Sequence, residues 1–246
     1  MDASGSHDAN RAYYNAFSEG YESHRGDNDP GGYHDLLDEL EAGYVERFGR
    51  DGEVLEVGCG TGLVLSRIER FARRAQGVDL SPGMLERARA RGLSVVEGSA
   101  TELPFENESF DVTCSFKVLA HIPDIEKALS EMARVTRPGG TVVAEFYNPL
   151  SFRGLAKRLA PAGRVAEGTH EDRVFTRFDT PLDIRRLVPD GMSIVGSRGI
   201  RIATPAARLM RIPVARTVFR GAERALCDSP LRFFAGFFVV AMRRAR

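Results

Sequence analysis

Cysteine, lysine and long apolar runs are all scarce in this chain. Cysteine occurs three times in 246 residues, as Cys59, Cys114 and Cys227, widely spaced and with no C-x-x-C pair. That excludes a disulfide framework and indicates no zinc or other metal site, so the three thiols read as reduced and buried. Lysine is confined to Lys117, Lys127 and Lys157, so a basicity of 34 Lys and Arg is nearly all arginine. These arginines do not form the aromatic-interleaved basic blocks that mark nucleic-acid binding. No apolar signal core opens the chain, and its longest apolar run, residues 233–242, is too short to span a bilayer as a helix. The expectation is a cytoplasmic protein with no membrane insertion and no nucleic-acid partner, either a monomer or a homodimer.

Formal net charge is zero, yet the halves differ: residues 151–246 carry 19 Lys+Arg against 8 Asp+Glu, a net of +11, and residues 1–150 the opposite, −11. The basic half could face an anionic acceptor, against the plainer reading of solvated Arg-rich helices. The length fits a single α/β domain with insertions. No repeat of solenoid period is visible.

What the chain does have is Val54-Leu55-Glu56-Val57-Gly58-Cys59-Gly60-Thr61-Gly62. A short β-type run ends in an acid and three alternate glycines, and a helical pattern through Leu63, Val64, Leu65, Ile68 and Phe71 follows. Strand, glycine turn and helix start make a cradle for a cofactor, because glycine lets a ligand reach the backbone N–H groups. A dinucleotide site wants G-x-G-x-x-G, whereas here Leu63 stands in the sixth position.

Around this motif the two periods alternate. An aromatic stripe (Tyr13, Tyr14, Phe17, Tyr21) marks a first helix, and residues 33–48 a second, ended by Gly49. Further strands are expected at 75–80, 93–97, 110–116 and 141–147, with helices at 82–91, where Ser81 is the N-cap and Pro82 the first residue, and at 125–135. Residues 137–140 read as a turn. Beyond Pro149 come a short helix at 152–159, a helix at 181–188, a strand at 192–202, a helical stretch at 205–227 broken by Pro213, and a last strand at 233–242. Strands alternating with helices mean right-handed βαβ units and a mostly parallel, doubly wound sheet.

The series Glu56 to Gly62, Gly77-Val78-Asp79-Leu80-Ser81-Pro82-Gly83-Met84-Leu85, Glu97-Gly98-Ser99-Ala100, Phe110-Asp111-Val112, Leu119-Ala120-His121-Ile122-Pro123-Asp124 and Arg134-Val135-Thr136-Arg137-Pro138-Gly139-Gly140 resembles the successive motifs of class I S-adenosylmethionine-dependent methyltransferases, nearest the small-molecule and quinone-type branch. It spans about residues 11–148. The resemblance implies one α/β domain over 1–246 with seven strands, the last antiparallel, and helical insertions after strands 5 and 6. It divides into an N-terminal helical cap (1–50), a cofactor-binding core (51–148) and acceptor-cover insertions (149–230).

For S-adenosylmethionine the resemblance implies that Glu56 meets the methionyl ammonium, that Gly58, Gly60 and Gly62 allow close approach, and that Asp79 accepts the ribose hydroxyls. Leu80 and Met84 would flank the adenine, Ser99 and Ala100 meet its edge, and Phe116, Tyr21 and Arg25 join the site. Ser99 departs from the family's usual aspartate. Methyl transfer to a small-molecule acceptor, aromatic, lipophilic or anionic, then needs a base only where the nucleophile is protonated. His121 and Tyr147 are the catalytic candidates, with Asn148 beside them and His24, His34 and His170 as further imidazoles. Two other classes stay open: a Rossmann-type NAD(P)-dependent oxidoreductase, disfavoured by the glycine spacing and the lack of Tyr-x-x-x-Lys, and a non-catalytic cofactor-binding subunit.

Overall fold

A computed structural model of the chain describes residues 30–152, 154, 155 and 175–246 and, ahead of them, Asn15, Ser18, Gly20 and Tyr21. Tyr13, Tyr14, Phe17, His24, Arg25 and His170, and most of the helix expected at 152–159, lie outside the described residues.

Seven strands form one sheet in the order β3-β2-β1-β4-β5-β7-β6. In chain order they are β1 (Glu53–Val57), β2 (Arg74–Asp79), β3 (Val95–Glu97), β4 (Phe110–Ser115), β5 (Thr136–Tyr147), β6 (Met192–Ile200) and β7 (Phe237–Arg244). The pairs among β1 to β5 are parallel, and β7 runs antiparallel to both β5 and β6, as expected for the last strand. Strands buried on both faces carry unbroken apolar runs, and alternate residues feed opposite cores. Val54, Val143 and Val239 face one cluster while Leu55, Val142 and Val240 face the other.

Each layer of helices follows from local sequence. Helix α1 (Tyr33–Gly49) presents Leu36, Leu37, Leu40, Tyr44 and Val45 at helical spacing to the first cluster. Helix α3 (Pro82–Ala90) starts as predicted, with the Ser81 hydroxyl accepting from the Met84 N–H at 3.3 Å. Helix α4 (Ile125–Val135) is capped by Asp124 and buries Ile125, Ala128, Leu129, Met132 and Val135 in the second cluster. Helix α5 (Pro181–Arg186) has a reciprocal Thr180/Asp183 capping box. Arg198 of β6, 6 % exposed, fixes α1 to the sheet by donating to the Leu40 carbonyl at 3.0 Å and to Asp228 at 3.0 and 2.8 Å. Hydrogen bonding to that guanidinium lowers the Asp228 pKa to about 2 against the cost of burial.

Four expectations are corrected. The helix expected through Phe71 after the glycine turn, α2, is a single turn, Leu65–Ile68: Gly62 is still in the turn with φ 82°, and beyond Ile68 the N–H groups of Arg70 and Phe71 turn to the i−3 carbonyls of Arg67 and Ile68. The turn at 137–140 lies inside β5: Thr136 pairs with Phe110 and Thr141 with Val112, so the residues between loop out of register. Pro213 does not break a helix but begins one, α6 (Pro213–Leu226), preceded by a 3-10 turn over Ala207–Arg211. Phe233 and Phe234 belong to a 3-10 turn (Pro230–Phe234) capped by Ser229, and β7 starts only after Gly236. Among the described residues no helix is long and apolar enough to cross a membrane.

Candidate active site

The glycine turn is held by the strand beside it. Gly58 N–H and Cys59 N–H both donate to the Val78 carbonyl, at 2.7 and 3.1 Å. A methyl group on Gly58 would sit 2.3 Å from Val118, and one on Gly62 2.1 Å from Leu93, so the turn is packed from beneath. Over Gly60, by contrast, an added Cβ meets nothing within 4 Å. The outer face of the turn is therefore open where the inner face is closed.

Asp79, at the end of β2, fixes this turn in place. Its Oδ2 accepts from Gly60 N–H at 2.8 Å and its Oδ1 from Ser81 N–H at 2.9 Å. Burial raises its pKa, opposed by the backbone N–H groups of Ser81, Gly60 and Leu80. Each carboxylate oxygen keeps a further lone pair, enough for a vicinal diol. Leu80 is half-buried beside it, and Met84, 3 % exposed, lies one turn into α3. The N-terminal segment docks here too, since Gly83 N–H donates to the Asn15 side-chain oxygen at 2.9 Å. Tyr21 is half-buried and its N–H donates to the Ser18 carbonyl at 3.4 Å. Ser99 and Ala100 are half-buried after β3, and the Ser99 hydroxyl is engaged locally with Thr101, at 2.9 Å to its hydroxyl and 3.2 Å to its N–H.

Glu56 lies in a wholly different electrostatic setting. It is 3 % exposed, and its Oε2 has no hydrogen-bond partner among the described residues. Burial first, then the carboxylates of Glu41 and Asp38, push its pKa well above 4.5, while Lys117 acts against them. Lys117 follows the buried Phe116 and takes φ +60°. Its ammonium pairs with Glu41 at 2.6 Å and Asp38 at 3.3 Å, and its N–H donates to Glu145 Oε1 at 3.1 Å. Four buried carboxylates thus surround one lysine, and the Glu145 pKa is raised well above its ordinary value by burial and by Glu41. Sequence reasoning missed this cluster. The available signal was the pair Asp38 and Glu41, both on the face of α1 that carries Leu37 and Leu40 into the core.

His121 and Tyr147, the two catalytic candidates, are brought together. Their rings meet edge to face with centroids 5.7 Å apart. His121 Nδ1 lies 3.0 Å from the Phe175 carbonyl oxygen. A carbonyl only accepts, so in the neutral ring Nδ1 carries the proton and the lone pair is on Nε2. Residues 175–180 are tied over the strand ends, with Arg177 N–H on the Ala120 carbonyl and Asp179 N–H on that of Tyr147. Asn148 serves the backbone instead: its Nδ2 donates to the Phe233 and Ala235 carbonyls and its Oδ1 accepts from Leu150 N–H.

Residues 55–144 match the family model described as methyltransferase domain. That segment carries a methyltransferase domain, and over it the chain is similar to class I S-adenosylmethionine-dependent methyltransferases. Demethylmenaquinone methyltransferase of Mycobacterium marinum is 42% identical over 107 residues, covering 43% of this chain and 46% of that protein. Ubiquinone biosynthesis O-methyltransferase of Methylococcus capsulatus is 31% identical over 165 residues, covering 60% of this chain and 66% of that protein. The aligned part thus spans a little under half the length of the first of these relatives. Among solved structures, a SAM-dependent methyltransferase of Thermotoga maritima, described as a possible histamine N-methyltransferase, superposes with a TM-score of 0.63 at 20% identity, covering 93% of this chain and 98% of that one. That last likeness is one of fold. The segment shared with the methyltransferase family runs from β1 to β5 and contains Glu56, the glycine turn, Asp79 and His121.

Proposed function

We propose that the chain is a class I methyltransferase that transfers a methyl group from S-adenosylmethionine to a small-molecule acceptor. The observation that carries the reading is that two acids, Glu56 and Asp79, flank the glycine turn, while the guanidinium beside it, that of Arg91, is engaged by the Thr61 carbonyl at 3.0 Å. Asp79 presents two carboxylate oxygens beside Gly60, and Glu56 holds a buried oxygen without a partner among the described residues. Asp79 suits the ribose diol of either cofactor class, whereas the buried acid Glu56 in the first strand matches an ammonium and a sulfonium rather than a pyrophosphate. Gly58, Gly60 and Gly62 would take the close contact, and Leu80, Met84, Ser99, Ala100 and Phe116 the adenine and its surroundings, with Tyr21 from the N-terminal segment.

Held by Glu56, the glycine turn and Asp79, the cofactor would supply an electrophilic methyl group on a sulfonium that leaves as a neutral thioether. The protein's share is chiefly positioning, which can lower such a barrier by about 7–11 kcal/mol. Where the nucleophile carries a proton, His121 Nε2 is the base, with the Phe175 carbonyl fixing the tautomer and Tyr147 buttressing the ring. Residues 149–230 act as the acceptor cover. The three buried free thiols fit a reducing, cytoplasmic setting.

The test is incubation with methyl-labelled cofactor and a metabolite extract, read by mass spectrometry. A labelled small molecule formed by the wild type and lost in Asp79→Ala supports the reading. Cofactor bound without any labelled product would favour a non-catalytic subunit.

A further inference from the structure

Beside the candidate base a cavity of about 500 Å³ opens at the carboxyl ends of β4 and β5. Its wall includes Tyr33 and His34 from α1, Lys117, Tyr147, Phe237 at the start of β7, and Arg201 just past β6. Arg201 takes φ +66°, in the left-handed region that a long side chain seldom adopts. Its guanidinium carbon lies 5.6 Å from the Tyr33 ring centroid and 6.0 Å from that of Phe237. The backbone there is pinned, with Gly236 N–H donating to the Arg201 carbonyl at 3.0 Å.

Several arginines elsewhere in the fold are matched by acids. Arg198 holds Asp228, Arg134 holds Glu131, Arg137 holds Glu53 and Asp111, and Arg220 holds Asp35 and Glu39. Arg201 is half-buried and, among the described residues, forms no ion pair. A partly desolvated guanidinium without a counter-charge is costly, and its planar fork is the best match for a carboxylate. Two aromatic rings beside it, with Tyr147 beyond, suit a flat ligand.

We propose that this cavity is the acceptor subsite and takes a planar aromatic acceptor bearing a carboxylate, the anion on Arg201 and the ring against Tyr33, Phe237 and Tyr147. The assignment rests on the methyl-transfer reading and adds the acceptor's chemical class to it. It places the ring within reach of the His121–Tyr147 pair, so the nucleophile would be a substituent on the ring edge away from the carboxylate.

The test is calorimetric titration of 4-hydroxybenzoate, salicylate and 1-hydroxy-2-naphthoate, each against its methyl ester, into the wild type, Arg201→Met and Arg201→Lys, all saturated with S-adenosylhomocysteine. The wild type should prefer at least one acid over its ester by about tenfold or more, the worth of one charge-assisted contact. Arg201→Met should lose that preference, Arg201→Lys should retain part of it, and affinity for S-adenosylhomocysteine should be unchanged in both. If Arg201→Met does not fold, Arg201→Gln takes its place. Binding of no acid, equal binding of acids and esters, or a preference that survives the loss of Arg201 overturns the proposal. A wild type that binds the acids through Arg201 but shows no affinity for S-adenosylhomocysteine would leave the subsite standing and remove the methyl-transfer reading.

Discussion

Replacing Glu56 by glutamine keeps the shape of the side chain and removes its charge. In the free protein this carboxyl is buried, flanked by Glu41 and Asp38, and its pKa lies well above 4.5. It therefore keeps a proton to higher pH than a solvated glutamate. An ammonium docked on Glu56 Oε2 favours the carboxylate, so cofactor binding should release that proton, approaching about one per cofactor as pH falls below the raised value. Titration calorimetry in buffers of different ionisation enthalpy reads the number directly. In Glu56→Gln the release should vanish, and affinity should fall by the worth of a charge-assisted hydrogen bond, about 1.5–3 kcal/mol, or roughly 10- to 150-fold in Kd. The same variant has a second readout in the free protein. A carboxyl whose pKa is raised on folding contributes stability that is whole below the ordinary 4.5 and lost as pH rises through the folded value. Glu56→Gln escapes that loss, so its urea midpoint should gain on the wild type as pH rises. Binding of the cofactor without proton release, together with undiminished affinity in the variant, would refute the reasoning.

Other perturbations follow from the same geometry. Lys117→Met leaves the buried Asp38 and Glu41 without their cation and should cost about 3–5 kcal/mol of unfolding free energy in urea. Gly58→Ala places a methyl group 2.3 Å from Val118 on a residue at φ +74°, so it should destabilise by about 1–3 kcal/mol and weaken cofactor binding at least tenfold in the same titration. His121→Ala should lower turnover by about 10²–10⁴-fold with cofactor affinity unchanged, and the pH dependence of the remaining rate should lose the imidazole limb.

The parallel core was legible because its signals are local. Ser81-Pro82 marks a helix start wherever it falls, Asp124 caps Ile125–Val135, and the apolar runs of β1, β4 and β5 have no solvent face to alternate with. The glycine spacing and Asp79 were equally plain, since the glycines act through their own backbone and the Asp79 carboxylate takes the N–H groups of Gly60 and Ser81 close by. What sequence hid was long-range. Lys117 stood out only as a rare residue, and nothing near it shows that Asp38 and Glu41 would arrive from 76 or more positions away. Arg201 was one arginine among many, and only its place in the cavity against Tyr33 and Phe237 singles it out. The errors have the same origin in reverse. An apolar run at 233–242 suggests one strand, but a 3-10 turn begun at Ser229-Pro230 takes in Phe233 and Phe234, and the period from Leu63 to Phe71 suggests a helix of which only Leu65–Ile68 forms.

Equilibrium titration of S-adenosylmethionine into the wild type and into Asp79→Ala tests the central claim most directly. Micromolar-range binding by the wild type, weakened by about 100-fold or more when the carboxylate that holds Gly60 and would meet the ribose is removed, is the predicted result. No binding by the wild type, or equal binding by a folded Asp79→Ala protein, would contradict it.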